Sequence, residues 1–148
     1  MDECVLDTLR DLNILIKKRL FILGKKNGIG VPPSPLQVRI FMYIYESKDK
    51  EVSQALLAQE LKVSKVSISE AVSKMVSNGN IKVITSSSDA RKNVITTTDQ
   101  GIEIMNKMIR SFDTLKSEIL TGISDEELEN FFAVMQHMKE NIREDNYV

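Results

Sequence analysis

Residues 53–79 read SQALLAQELKVSKVSISEAVSKMVSNG, and two serines divide them. Ser53 stands as an N-cap before the short run QALLAQEL, and Ser64 before the longer KVSISEAVSKMVSN, which ends at Gly79. A serine hydroxyl at that position accepts from a first-turn N–H, and glycine takes the left-handed conformation that closes a helix. The link Lys62-Val63-Ser64 leaves room only for a tight turn. Leu57, Ala58, Leu61, Val63, Ile68, Val72 and Met75 fall at inward positions, with Ala58 small where two helices must approach closely. This is a helix-turn-helix. Outward on its second helix lie Lys65, Val66, Ser67, Ser69, Glu70, Ser73 and Lys74. That face is short, polar and nearly free of bulk, which suits a major groove. Helix pairs with similar cores are common, so this pattern alone does not single out DNA.

The segment after Gly79 is more specific. NIKVIT (80–85) and NVITTT (93–98) are β-branched runs flanking SSSDARK (86–92), which reads as a hairpin whose tip presents positive charge. Thr98 and Gly101 then form a Thr-x-x-Gly where the next helix starts. The net charge of -1 hides an uneven distribution. From Lys62 to Lys92 the bases are Lys62, Lys65, Lys74, Lys82, Arg91 and Lys92, against Glu70 and Asp89. From Asp113 on, Glu118, Asp125, Glu126, Glu127, Glu129, Glu140, Glu144 and Asp145 dominate. A basic middle in an acidic molecule is a local footprint for a polyanion; the charges alone fit a solvated lysine-rich face equally well.

Outward from this middle, Val5, Leu9, Leu12, Ile16 and Leu20 repeat at three and four, which predicts a helix stopping near Gly24. GKKNGIGVPPSP is a loop, and Ser34-Pro35 opens a helix, LQVRIFMYIYES, apolar nearly all round as a central buried helix should be. Beyond the hairpin, Thr98 caps a helix with apolar positions Ile102, Met105, Ile109, Phe112 and Ile119. Ser124 and Glu127 form a capping box for a last helix carrying Leu128, Phe131, Met135, Met138 and Ile142. Both stripes are narrow seams of the kind that pair with another helix. With the first helix they make a dimer interface, or pack on their own domain.

The run from SQALLAQELKVSKVSISEAVSKMVSNG through SDARKNVITTTDQG resembles the multiple antibiotic resistance regulators, the MarR-type winged-helix transcription factors. The wing is the specific part: Asp-x-Arg followed by Thr-x-x-Gly, here Asp89, Arg91, Thr98 and Gly101. The resemblance covers essentially the whole chain. It implies a mainly α fold with a small β-hairpin wing, a winged helix-turn-helix with N- and C-terminal dimerisation helices. Residues 1–148 would be one domain, with 1–24 and 98–145 as dimerisation helices and 35–97 as the DNA-binding region. The implied function is a homodimeric, sequence-specific DNA-binding regulator, expected to repress. A small-molecule effector bound between the dimerisation helices and the winged helix would release the DNA. The expected DNA-contacting set is Ser53 and Gln54; Ser64, Lys65, Val66, Ser67, Ser69, Glu70, Ser73 and Lys74; and Ser86, Ser88, Asp89, Arg91 and Lys92. Arg91 would enter the minor groove, Asp89 would hold the wing's shape or orient that arginine, and Ser86, Ser87, Ser88 and Lys92 would donate to phosphates.

Two positions depart from the family pattern. Ala90 removes one basic contact, and Glu70 stands where many members carry arginine. Glu70 either accepts from a cytosine amine or pairs with Lys74 one turn on, and the helix pair is the favoured reading.

At 148 residues, 42% hydrophobic and 28% charged, the chain has an ordinary globular composition. No apolar run approaches the roughly 20 residues of a membrane span, and the acidic N-terminus MDECVLDTLRDLN does not look like a secretory signal. One cysteine and one histidine allow no internal disulfide and make a Cys/His metal site improbable. The expectation is a cytoplasmic protein with no cofactor, no metal and no membrane contact. There is no phosphate loop, no Ser/His/Asp arrangement and no ligand cluster, so enzymatic readings find no footing. By resemblance Cys4 could sense oxidants; with no basic or histidine neighbour in sequence, a passive thiol is the favoured reading. Tyr43 and Tyr45 suit an effector pocket or the core, and His137 suits a surface or seam. Met105, Met108, Met135 and Met138 suit an adaptable interface or ordinary packing. The competing function is a winged helix that binds a protein through the same polar helix face.

Overall fold

The computed structural model describes residues 4–143. The order is α1 (Val5–Lys26), α2 (Pro35–Ser47), α3 (Gln54–Leu61), α4 (Lys65–Ser77), β1 (Ile81–Thr85), β2 (Asn93–Thr97), α5 (Asp99–Leu120) and α6 (Asp125–Asn141). The chain forms two compact units, one running through Leu115 and one starting at Lys116. Among the described residues, six helices and one antiparallel hairpin match the expected mainly α winged-helix fold.

The first unit is built on a core of Ile40, Phe41, Val52, Leu57, Ile68, Val72, Met75 and Ile81, all 2% exposed or less. Burying each such side chain contributes about 1.5–3 kcal/mol. The helix-turn-helix supplies half of this list, so its two helices cannot splay without opening the core. Capping agrees with the sequence. Ser34 and Gln37 make a reciprocal capping box at α2, behind Pro35. Ser53 accepts from Leu56 N at 3.1 Å and Ser64 from Ser67 N at 3.1 Å. In the second unit Ser124 and Glu127 cap α6 reciprocally, and the Ser124 hydrogen bonds hold the Glu127 carboxyl below its ordinary value.

Three expectations change. The first helix does not stop at Gly24. It continues to Lys26 and closes at Gly28, whose φ is +83°, with Ile29 N bonded back to Gly24 O at 2.8 Å. Gly24 is instead a buried packing position against Ile29. The second helix is buried along one side only. Ile40 and Phe41 are inside, while Arg39, Tyr45 and Glu46 face out. Finally, α5 buries Gly101, Met105, Met108, Ser111 and Leu115, whereas Ile102, Phe112 and Ile119 of the expected seam are 39–42% exposed. Helix α5 therefore leaves apolar side chains uncovered beside those it buries. Glu144 and Asp145 lie outside the described residues.

The hairpin pairs Ile81 with Thr97 through Thr85 with Asn93. Val52, in the link between α2 and α3, bridges Ile95, and Ile95 N donates to Val52 O at 2.7 Å. A single residue thus ties the α2–α3 link to the base of the wing.

The Thr-x-x-Gly step is explained by the junction it makes. Thr98 Oγ1 accepts from Gly101 N at 3.0 Å and donates to Gly79 O. Thr98 N donates to Asn80 O at 3.2 Å. Helix α5 therefore starts hard against the backbone that leaves α4, and only a residue without Cβ fits at Gly101.

Candidate nucleic-acid interface

The turn of the helix-turn-helix is set by Lys62, which takes the left-handed conformation (φ 53°, ψ 48°) and lets Val63 N return to Ala58 O at 3.1 Å. Arg39 reaches across from α2 and donates to Leu61 O at 2.6 Å, satisfying a carbonyl at the end of α3. Helix α4 then leaves with Ile68, Ala71, Val72 and Met75 buried. Ala71 joins the inward set that the sequence pattern had given without it.

The opposite face of α4 is as expected. Lys65, Val66, Ser69, Glu70, Ser73 and Lys74 are exposed and Ser67 is half-buried. Val66 is the one large apolar side chain among them, 67% exposed. Ser64 is exposed, but its hydroxyl is engaged with Ser67, accepting from Ser67 N and donating to Ser67 Oγ at 2.9 Å. Ser53 is half-buried as the cap of α3, and Gln54 is exposed beside it. The favoured Glu70–Lys74 ion pair is not made: among the described residues no nitrogen–oxygen distance within 4 Å joins the two side chains. An exposed pair one turn apart gains only about 0.3–0.5 kcal/mol and must immobilise two long side chains. Both heads of charge therefore stay open to a ligand.

The wing is more ordered than its composition indicates. Ser86 N donates to Lys92 O at 2.8 Å and Lys92 N to Asp89 O at 3.0 Å, which closes the tip. Asp89 Oδ1 accepts from Arg91 N at 2.9 Å, an Asx turn, and lies 3.8 Å from Arg91 Nε. The Arg91 side chain is 95% exposed. Ser88 and Lys92 are also exposed, while Asp89 is half-buried. Ser86, expected among the DNA contacts, is 6% exposed and its hydroxyl donates to Glu51 Oε2 at 2.6 Å, so it holds the wing from within.

Glu51 is the residue the sequence did not disclose. Besides Ser86, it accepts from Ser87 N at 2.8 Å and Ser87 Oγ at 2.9 Å. These bonds, that from Ser86 first, hold its carboxyl below the ordinary value, with Lys92 adding a favourable charge. Glu51 lies 35 residues before Ser86, and nothing local marks it. Only the Val52–Ile95 bridge brings it to the wing. The Ser87 hydroxyl is thereby also engaged internally.

Cys4 is exposed at the N-cap position of α1. Tyr45 is exposed and Tyr43 half-buried against the core, both in α2. Among the described residues no helix is long and apolar enough to cross a membrane, and no three His, Cys, Asp or Glu side chains cluster as metal ligands would.

Solved structures share this fold. The heme sensor protein PefR from Streptococcus agalactiae in complex with heme is 24% identical with a TM-score of 0.77, over 99% of each chain. Heme-free PefR is 26% identical with a TM-score of 0.71, over 93% of this chain and 99% of that one. A mutant of S. aureus MepR bound to an oligodeoxyribonucleotide is 19% identical with a TM-score of 0.62, over 95% of this chain and all of that one. The MarR family model matches residues 29–92, which span α2, the helix-turn-helix, β1 and the wing tip.

Proposed function

We propose that the protein is a homodimeric transcriptional regulator, acting as a repressor, that reads a near-palindromic operator. Helix α4 enters a major groove and the wing's Arg91 the adjacent minor groove, with half-sites one helical turn, ~10 bp, apart. The observation that carries this reading is the pairing of an open, polar α4 face with a braced hairpin whose arginine is almost wholly in solvent. An arginine held at a tip suits the negative potential of a narrow minor groove. Lys65, Lys74 and Lys92 supply phosphate contacts, and Glu70, not paired with Lys74 in the free protein, is available to a cytosine amine.

The dimer is supported by apolar surface left uncovered within each unit. Helix α1 exposes Leu6, Leu15, Phe21 and Ile22 at 48–75%, and α6 exposes Phe131, Phe132 and Val134 at 47–59%. Large apolar side chains left in water along two helices suit an interface with a second copy of the chain. An effector would have room in a cavity of about 470 Å³ between the end of α2, the outer side of the hairpin and the start of α5, floored by Ile44, Val52, Ile95 and Met105.

The test is selection from a random duplex library at about 100 mM salt, where non-specific phosphate binding is already weakened, with wild type and Arg91→Ala in parallel. Enrichment of a two-fold symmetric site by the wild type, diminished in the variant, is the expected result. A folded dimer that enriches nothing would refute the reading in favour of a winged helix that binds protein.

A further inference from the structure

We propose that Glu51 is a positioning residue for the wing: from the α2–α3 link it fixes the hairpin tip and thereby the direction in which Arg91 is presented. The inference rests on the reading of the wing as a DNA contact and assigns the residue that makes that contact effective.

The geometry is a relay. Three donors converge on the two oxygens of Glu51: Ser86 Oγ at 2.6 Å, Ser87 N at 2.8 Å and Ser87 Oγ at 2.9 Å. An ionised carboxylate is acceptor-only and can take all three; a carboxamide has one acceptor oxygen. Ser86 Oγ, buried and oriented by that bond, accepts from Ser88 N at 3.2 Å and Asp89 N at 3.3 Å. Asp89 Oδ1 in turn accepts from Arg91 N at 2.9 Å. A continuous set of hydrogen bonds therefore runs from the Glu51 carboxylate to the Arg91 backbone.

That set matters because Arg91 has little else to hold it. Its side chain is 95% exposed and its ion pair to Asp89 is long, at 3.8 Å. Its placement is inherited from the backbone of residues 86–92. The base of the wing is anchored beside Glu51 by the Val52–Ile95 bridge, and Ile95 and Val52 are both in the core. An anchored base and a braced tip reduce the conformational freedom that the arginine would lose on entering a groove. The depressed carboxyl of Glu51, due chiefly to Ser86, fits an anion that the wing needs in its charged form. A bare acid beside a phosphate backbone would oppose binding. Here its charge is absorbed by three donors and by Lys92.

The experiment measures affinity for the duplex selected by the wild type, at fixed salt, with Arg91→Ala, Glu51→Ala, Glu51→Gln and the Glu51→Ala/Arg91→Ala double variant. Thermal unfolding and dimer mass are measured alongside. Loss of one arginine contact is expected to weaken binding about tenfold. Glu51→Ala should weaken it by about fivefold or more, Glu51→Gln by less, and the double variant should be no weaker than Arg91→Ala by more than about twofold, since the two residues act through one contact. Ser86→Ala and Ser87→Ala repeat the test from the donor side should Glu51→Ala unfold. Wild-type affinity in Glu51→Ala would overturn the inference while leaving the wing reading intact. So would a Glu51→Ala loss that persists undiminished on top of Arg91→Ala, the mark of general damage. A silent Arg91→Ala would overturn the wing reading and this inference with it.

Discussion

Replacing Gly101 with alanine tests the junction on which the wing and α5 depend. Gly101 is the third residue of α5, and a Cβ there would overlap the Asn80 carbonyl oxygen and lie 2.8 Å from its carbon. Carbon atoms prefer a separation of about 3.5–4.0 Å, so the start of α5 must withdraw. The obstacle is backbone that cannot rotate aside: Asn80 N is bonded to Met75 O at 3.0 Å, and Asn80 O takes Thr98 N at 3.2 Å. Withdrawal also stretches the cap from Gly101 N to Thr98 Oγ1, now 3.0 Å. Overpacking of this kind costs about 1–3 kcal/mol and a lost serine- or threonine-type cap about 1 kcal/mol, so a loss of roughly 3 kcal/mol is expected. For a chain of this length that lowers Tm by about 6–12 °C. Helix propensity alone predicts the opposite sign, a gain of up to about 1 kcal/mol for glycine to alanine. Gly24→Ala is the companion: its Cβ would meet only Ile29, at 3.7 Å, and a small gain is expected. Thermal unfolding by circular dichroism, at one protein concentration so that dimerisation does not shift the midpoints, reads both. A Gly101→Ala midpoint equal to or above wild type would refute the junction argument.

Lys62 holds a left-handed conformation at the turn of the helix-turn-helix. Lys62→Gly should raise stability by about 1 kcal/mol by removing the Cβ penalty, read as a Tm increase of about 2–4 °C; a lower Tm would show that the lysine side chain itself stabilises the turn. The wing should also respond to acid in a defined direction. The Glu51 carboxyl sits below its ordinary value of 4.5 in the folded protein, so the stability its hydrogen bonds contribute is complete above that value and is lost as pH falls through the lower, folded one. The Ser87 amide resonance should therefore stay fixed down to about pH 5 and move only below about 4.5. A midpoint at or above 4.5 would contradict the bonding described, and Glu51→Gln should abolish the transition.

Much of the fold is legible in the sequence because its signals are local. Caps at Ser34, Ser53, Ser64 and Ser124 act within three residues of themselves, and the stop at Gly79 acts on the carbonyls just before it. The β-branched runs on either side of 86–92 pair with each other across a single turn. The polar face of α4 follows from helical spacing once Ile68, Val72 and Met75 are inside. The exact end of α1 is not legible, because two glycines, Gly24 and Gly28, offer the same local signal and only the packing of Ile29 on Gly24 decides between them.

What the sequence determined by itself, then, is the order of the elements, the helix-turn-helix and the charge of the wing, all of which depend on neighbours a few residues apart. The tertiary structure alone decided that Val52 bridges the base of the wing, that Glu51 braces the wing, that Ser86 faces inward and that Ile102, Phe112 and Ile119 of α5 stay uncovered. Each of these is a contact, or the lack of one, between segments tens of residues apart. A serine in a hairpin or an acid in a loop has the same local preferences whether its partner is water or a side chain 35 positions away. Burial of Ile95 against Val52 is what makes the choice, since apolar area removed from water brings the link to the wing and leaves the carboxylate no better partners than the two serines it finds there.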